Sequence, residues 1–187
     1  MKLVIQSLLL TVVLTILTGV IYPLVVSGIC QVAFKDQANG SLLRRNGEVV
    51  GSERIAQQFT GDKYFWPRPS AGGYATVPSG ASNYGPTNQK LHDAVATNAA
   101  AFRAANKLPA NAPVPADMVF TSGSGLDPQT SPTAARLQIT RVASARTADV
   151  AQVTALVERF VEPPQWGFLG QARVNVLKLN LALDAMK

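Results

Sequence analysis

One stretch of this sequence combines a glycine-rich loop with polar side chains placed one helical turn apart. A helix is predicted to follow Ser131-Pro132, because serine is a favoured N-cap and proline a favoured first helical residue. Gln138 and Arg141 lie three residues apart on that helix and share a face. The loop ahead of it could point backbone N–H groups at an anion. The candidate binding residues are therefore Ser122, Gly123, Ser124, Gly125, Gln138 and Arg141.

The same residues also allow a purely structural interpretation. Glycine-rich loops are most often tight turns, and residues 79–87 form a second such segment ahead of a helix predicted to begin at Thr87. Ala134 and Ala145 are small neighbours that would let the Gln138 and Arg141 face pack closely against the loop. The amide could then bond to backbone groups that the turns leave unpaired. The sequence keeps both interpretations open.

Catalytic and metal-binding chemistry has little support in the sequence. The chain has neither the D-K-T-G motif of a phosphorylated pump nor the G-x-x-x-x-G-K-[ST] phosphate loop. His92 is the single histidine, so a multi-histidine metal site is ruled out. It stands near a predicted helix start, with no partners that would make it a general base. We therefore predict no catalytic residue and no metal ligand.

Two aromatic segments are candidates for contacts with partner proteins. Tyr64, Phe65, Trp66 and Arg68 lie in a stiff, proline-rich run of the kind found at interface hot spots, although such a run can equally pack on its own core. Tyr22 and Pro23 interrupt an apolar stretch. There they indicate a kink or a surface matched to neighbouring membrane helices.

The N-terminus has the composition of a membrane anchor. No charged residue lies between Lys2 and Lys35, and a spanning helix needs only about 20 apolar residues. A cleaved signal peptide is the competing interpretation, but its apolar region is about 7 to 15 residues long. Lys2 on one side and Lys35, Arg44 and Arg45 on the other leave the orientation weakly determined by charge. We predict an anchor over residues 1–35.

Residues 36–187 are predicted to form one soluble α+β domain. Asn46-Gly47 between the short runs 42–45 and 48–50 indicates a hairpin, and Asp149 is placed to cap a helix. Ser52 could cap a short helix carrying Ile55 and Phe59, residues 174–177 resemble a strand, and residues 179–186 fit strand or helix equally. The chain has 17 basic and 11 acidic residues, a net charge of +6, but they are scattered. Without a basic stripe, nucleic-acid binding is not expected.

The motifs resemble one known family along essentially the whole chain. The stretch from Ser122 to Arg146 matches the pattern S-G-S-G-L-D-P-x-x-S-P followed by A, Q, R-V-A and A-R, a signature of the C subunit of Kdp potassium-transporting ATPases. Further similarity covers residues 18–24, 37–42, 59–61, 64–65, 68–71 and 174–184. The chain departs from the family pattern at Gln129, where many members carry histidine, and at Ala81, where glycine is usual.

The resemblance implies a role inside a larger complex. It implies a non-catalytic accessory subunit of an ATP-driven potassium importer, partnered by a channel-like subunit, an ATP-hydrolysing P-type subunit and the lipid bilayer. It also implies a single pass through the cytoplasmic (inner) membrane with the C-terminal domain outside the cytoplasm. A catalytic chaperone role, raising ATP affinity through nucleotide contact, is implied as well, and it conflicts with that location. The alternative is a stand-alone, signal-anchored extracytoplasmic enzyme or solute-binding protein.

Overall fold

A computed structural model describes residues 1–186, which divide into two compact units. The first unit runs from Met1 to Ser52 and the second from Glu53 to the C-terminus. The predicted boundary between anchor and domain at residue 35 stays a prediction.

The first unit begins with a continuous apolar helix over Lys2–Ala33, long and apolar enough to cross a membrane. It comprises α1 (Lys2–Ile16), a π-helical turn (Leu17–Ile21) and α2 (Tyr22–Ala33). Pro23 explains the π turn, because its ring removes one N–H donor and crowds the carbonyl one turn back, so the helix widens there. A short helix, α3 (Lys35–Ala38), follows.

The hairpin predicted around Asn46-Gly47 is confirmed. Strands β1 (Leu42–Arg45) and β2 (Glu48–Ser52) pair antiparallel, and both turn residues have positive φ, 52° for Asn46 and 87° for Gly47. Asparagine and glycine adopt that conformation at low cost, which is why the pair favours a tight hairpin turn. Ser52 donates a hydrogen bond from its Oγ to the Gly40 carbonyl at 2.6 Å.

The second unit holds four helices and a small sheet among its described residues. The helices are α4 (Gln89–Ala105), α5 (Pro132–Arg146), α6 (Val150–Arg159) and α7 (Val176–Ala185), with a 3₁₀ turn at Ala116–Met118. The strands are β3 (Gln129–Thr130), β4 (Val161–Glu162) and β5 (Arg173–Asn175), paired antiparallel in the order β3-β5-β4. The α+β fold class is confirmed.

The main core lies between α5, α6, α7 and strand β5. These helices have apolar stripes, and the caps predicted for α5 and α6 are present: Ser131 accepts from the Ala134 N–H and Asp149 accepts from the Ala151 N–H. Phe65 enters this core from a loop and is fully buried. Its buried members are Phe65, Ala135, Ile139, Val142, Ala143, Val153, Val157, Val174, Val176, Leu179 and Leu183.

Three local predictions are corrected by the structure. Ser52 ends strand β2 instead of capping a helix, and the residues after it form turns and irregular chain that bonds to a distant loop, with Ala56 N–H donating to Leu126 O at 2.9 Å. Helix α4 is capped by Asn88, not started by Thr87, since the Asn88 carboxamide accepts from the Lys90 N–H. Strand β5 stops at Asn175, whose side chain caps α7, so the ambiguous C-terminal segment is helical.

Candidate functional site

Two buried amides hold an extended piece of chain in the second unit. The Phe65 N–H donates to Asn180 Oδ1 at 2.8 Å, and Asn180 Nδ2 donates back to the Phe65 carbonyl at 2.9 Å. The next residue is held in the same way, because the Trp66 N–H donates to Gln138 Oε1 at 2.7 Å and Gln138 Nε2 faces the Trp66 carbonyl at 3.4 Å. We call Gln138 and Asn180 the amide pair. Together they take the place of a neighbouring strand.

The burial of Phe65 explains why such a pair is needed. The Phe65 side chain is fully buried, so the backbone around it is carried into the core, where each N–H and C=O needs a partner. Helix α5 supplies Gln138 and helix α7 supplies Asn180. Both side chains are almost completely buried. The function of the pair visible in the structure is to position residues 65 and 66.

Arg141 lies one turn along α5, and each of its three guanidinium nitrogens donates to a group of the same chain. Its Nε donates to Asn106 Oδ1 at 3.0 Å, Nη1 donates to the Asp62 carbonyl at 2.7 Å, and Nη2 donates to Gln138 Oε1 at 2.8 Å. The guanidinium also stacks 4.3 Å from the centre of the Trp66 ring. Burial lowers the pKa of Arg141 to about 10, and the carboxylate of Asp62 raises it by a smaller amount.

A cavity of about 280 Å³ lies beside Arg141 and includes Asp62 and Asn106 in its lining. A phosphate placed there would meet a guanidinium whose three nitrogens each already donate to the protein. It would also approach the largely exposed carboxylate of Asp62, which repels an anion. Gln138 and Arg141 therefore lie together as predicted from their spacing, but they face the inside of the domain.

A second arginine of α5, Arg146, bonds to the segment just before Phe65. Arg146 donates from Nε to the Lys63 carbonyl at 2.7 Å and forms an ion pair of 2.6 Å with Asp184. The Tyr64 hydroxyl donates to the other oxygen of Asp184 at 3.2 Å. The segment from residue 61 to residue 66 is thus held by side chains from α5 and α7.

The loop of Ser122, Gly123, Ser124 and Gly125 holds the next part of the chain. The buried Ser122 donates its N–H to the Pro69 carbonyl at 3.3 Å. Gly125 has φ +71°, and a Cβ built on it would lie 2.8 Å from the Gly80 carbonyl oxygen. The two glycine-rich segments therefore meet at this point. Gly123 and Ser124 are exposed.

The N-terminus of α5 already has an anionic partner from its own chain. Strand β3 separates this helix from the glycine-rich loop. The Asp117 carboxylate accepts the Ser131 N–H at 2.6 Å and the Ser131 hydroxyl at 3.1 Å. A carboxylate at a helix N-terminus satisfies the free N–H groups and the positive end of the dipole. The position where an anion was expected is thus occupied by Asp117.

An open cleft of about 520 Å³ lies next to this helix end. Its charged lining residues are Arg68, Asp117, Asp127 and Arg173. Arg68 forms an ion pair of 2.8 Å with Asp127 inside the cleft, and Arg173 forms one of 3.0 Å with Glu162, which lies outside the lining. The Tyr74 hydroxyl also donates to the Arg68 carbonyl at 2.7 Å. Both arginines of the cleft are therefore ion-paired, and Asp117 accepts hydrogen bonds from Ser131.

The predicted partner-contact residues are divided between the two units. Tyr22 and Pro23 lie on the exposed surface of the apolar helix. Tyr64, Trp66 and Arg68 are half-buried, and Phe65 is in the core. His92 is exposed, with Nε2 2.9 Å from the Pro86 carbonyl. Within residues 1–186, no three His, Cys, Asp or Glu side chains are grouped as metal ligands.

Sequence reasoning missed Asn180, Asn106 and Asp117. Asn180 had a usable signal, because it is a polar residue inside the apolar run Leu179–Leu183. Its partner is 115 residues away, so the sequence could mark it as unusual but could not name what it holds.

These features define a class of protein, an α+β domain behind one N-terminal helix that is long and apolar enough to cross a membrane. The family model described as "KdpC: K+-transporting ATPase, c chain" matches residues 4–185. The chain is 53% identical over 176 residues to the potassium-transporting ATPase KdpC subunit of Mycobacterium bovis, covering 93% of each chain. It is 58% identical over 174 residues to that of Rhodospirillum rubrum, covering 91% of this chain and 89% of the relative. The chain belongs to the KdpC family.

Proposed function

We propose that this chain is a non-catalytic accessory subunit of an ATP-driven potassium import complex. It stabilises the assembly of a channel-like subunit with an ATP-hydrolysing P-type subunit. The apolar helix attaches it laterally within the inner membrane, and the second unit is an extracytoplasmic domain. Family membership and the helix over Lys2–Ala33 support this proposal.

The observation that carries the structural role is the internal use of Gln138 and Arg141. Their hydrogen-bonding groups bond to residues 62, 66, 106 and 134 and to each other. Redirecting them to a nucleotide would leave the part-buried backbone groups of Asp62 and Trp66 without these partners, at a cost of up to about 1 to 3 kcal/mol for each group. The signature stretch therefore acts as a scaffold for residues 61–70, and raising ATP affinity through direct nucleotide contact is the alternative role.

The two roles, scaffold and nucleotide contact, are distinguished by finding the side of the membrane on which the second unit lies. A fusion at the C-terminus to a reporter active only outside the cytoplasm should be active, and a matched cytoplasmic reporter should be silent. Activity of the cytoplasmic reporter alone would contradict the proposal, because it would place the domain beside the nucleotide.

Purification of the tagged full chain in mild detergent tests the complex itself. The channel-like and ATP-hydrolysing subunits should be recovered with it in constant proportion. If the chain is recovered alone from cells that express all three, the stand-alone enzyme or solute-binding protein becomes the better assignment.

A further inference from the structure

The loop between strands β4 and β5 ends in an exposed aromatic tip, which we define as residues 165–169. Trp166 is 78% exposed, Phe168 is 75% exposed and Leu169 is 43% exposed. These three large apolar side chains lie within four consecutive residues. Their exposure has a cost in water, because apolar surface of this kind is normally buried.

Four backbone hydrogen bonds within residues 164–169 hold the aromatic tip in a tight turn. Gln165 and Leu169 exchange two hydrogen bonds, each of 2.9 Å, between their N–H and C=O groups. The Gly167 N–H donates to the Pro164 carbonyl at 3.0 Å, and the Phe168 N–H donates to the Gln165 carbonyl at 3.3 Å. Each of these bonds lowers the cost of moving that backbone group out of water, and the interfacial layer still offers water to the remaining groups.

The tight turn of the tip is formed by Trp166 and Gly167, which both have positive φ. Trp166 has φ 53° and Gly167 has φ 84°. Glycine adopts this conformation readily, whereas a tryptophan there is strained. Strain of this kind is typical of positions held for a function.

We propose that the aromatic tip inserts into the interfacial layer of the bilayer that the Lys2–Ala33 helix crosses, so the inference rests on the proposed membrane anchoring. Residues 163–172 carry no charge, so insertion removes no charged group from water. Tryptophan is one of the two side chains enriched in that layer. Because the anchor and the tip belong to one chain, insertion is intramolecular and weak affinity is sufficient.

The small size of the tip favours lipid over a protein partner. A specific and stable protein interface buries about 1,200 to 2,000 Å² in total. Three side chains of a single turn supply a small part of that area, and the neighbouring Arg173 and Glu162 pair with each other. Insertion into lipid needs no matching surface.

Tryptophan fluorescence provides the test, because the chain contains only Trp66 and Trp166. The full chain is reconstituted in phosphatidylcholine vesicles, with and without bromine on the acyl chains. The Trp166→Phe variant reports Trp66 alone, which stacks on Arg141 in the domain and serves as the internal reference. The difference between wild type and variant gives the Trp166 signal.

We expect the Trp166 emission to be shifted to shorter wavelength, lost in brominated vesicles and insensitive to iodide in the buffer. Phe168→Ser should move the emission towards that of tryptophan in water and restore quenching by iodide, while the Trp66 signal stays constant. Water-like Trp166 emission that bromine does not quench would overturn the proposal. If the shift appears only after assembly with the other subunits, without bromine quenching, the tip binds a protein instead. If the anchoring itself is wrong, the chain will not float with the vesicles.

Discussion

At the scale of single residues, Gln138 and Asn180 each bond to both polar groups of one backbone residue. Each carboxamide offers one acceptor and two donors, so it can match an N–H and a C=O of the same residue. Gln138 has a further role, because its Oε1 also accepts from Arg141. The loss of Gln138 would therefore leave a guanidinium donor and two backbone groups without this partner.

Gln138→Ala is expected to lower the free energy of unfolding by about 1 to 3 kcal/mol without changing the ATP dependence of the assembled complex. Unfolding in denaturant and ATP hydrolysis by the purified complex measure the two quantities. Gln152→Ala, at an exposed position of α6, is the control and should change stability by no more than about 0.5 kcal/mol. A selective loss of ATP affinity in a stable, fully assembled variant would show that Gln138 belongs to a nucleotide site.

Tyr74 gives a pH-dependent prediction. Burial raises the pKa of its phenol from 10.0 to about 12, and its hydroxyl donates to the Arg68 carbonyl. The folded protein therefore favours the neutral phenol. This stabilisation is fully present below pH 10 and is lost as the pH rises towards 12.

Unfolding midpoints of wild type and Tyr74→Phe in detergent, measured across that range, should converge as the pH rises. The lowered pKa of Arg141 acts in the opposite direction, but it is common to both proteins and cancels in the comparison. A constant difference between the two midpoints from pH 9 to 12 would contradict the prediction.

At the scale of elements, the two glycine-rich segments form one contact. Gly125, in the loop of residues 122–125, approaches the Gly80 carbonyl so closely that no side chain would fit. The loop then continues through β3 into the capped start of α5. The position of α5, and with it Gln138 and Arg141, therefore depends on this close approach.

Gly125→Ala is expected to destabilise the protein by about 1 to 3 kcal/mol, because alanine is strained at φ +71°. The contact of its Cβ with the Gly80 oxygen adds to that cost. Gly123→Ala is the matched control, since a Cβ there meets no atom within 4 Å. The two variants are compared by thermal unfolding. Equal melting temperatures would show that the close approach of Gly125 to Gly80 does not contribute to stability.

At the scale of the whole molecule, the apolar helix and the packed core lie in different compact units. The core of α5, α6, α7 and β5 is made entirely of residues of the second unit. Such a core can hold its structure without the membrane helix. The helix would then attach the chain to the membrane, and the second unit would be stabilised by the packing of its own core.

Removal of residues 1–34 is expected to leave a soluble, folded domain that no longer supports growth at low external potassium. Circular dichroism and cooperative unfolding test the fold, and growth of cells that lack the native subunit tests the function. An unrelated apolar helix of equal length in place of residues 1–34 is the control that separates membrane attachment from helix-specific contacts. Normal complex assembly by the truncated form would refute the prediction.

The sequence by itself determined the features that depend on near neighbours. The apolar helix, the Asn46-Gly47 turn and the caps of α5 and α6 follow from composition, turn chemistry and helical spacing within a few residues. The motifs and their spacing also indicated the family. These local features specify where elements begin and end.

Only the tertiary structure decided which way the polar residues face. Gln138 bonds to a residue 72 positions away and Asn180 to one 115 positions away. The partner of a buried amide is set by how helices pack, and no local pattern contains that information. The residues after Ser52 are likewise not helical as predicted, and the Ala56 N–H donates instead to the carbonyl of the distant Leu126. The same spacing of Gln138 and Arg141 is compatible with a ligand site or a scaffold, and the burial of Phe65 beside them is the tertiary feature that supports the proposed scaffold role.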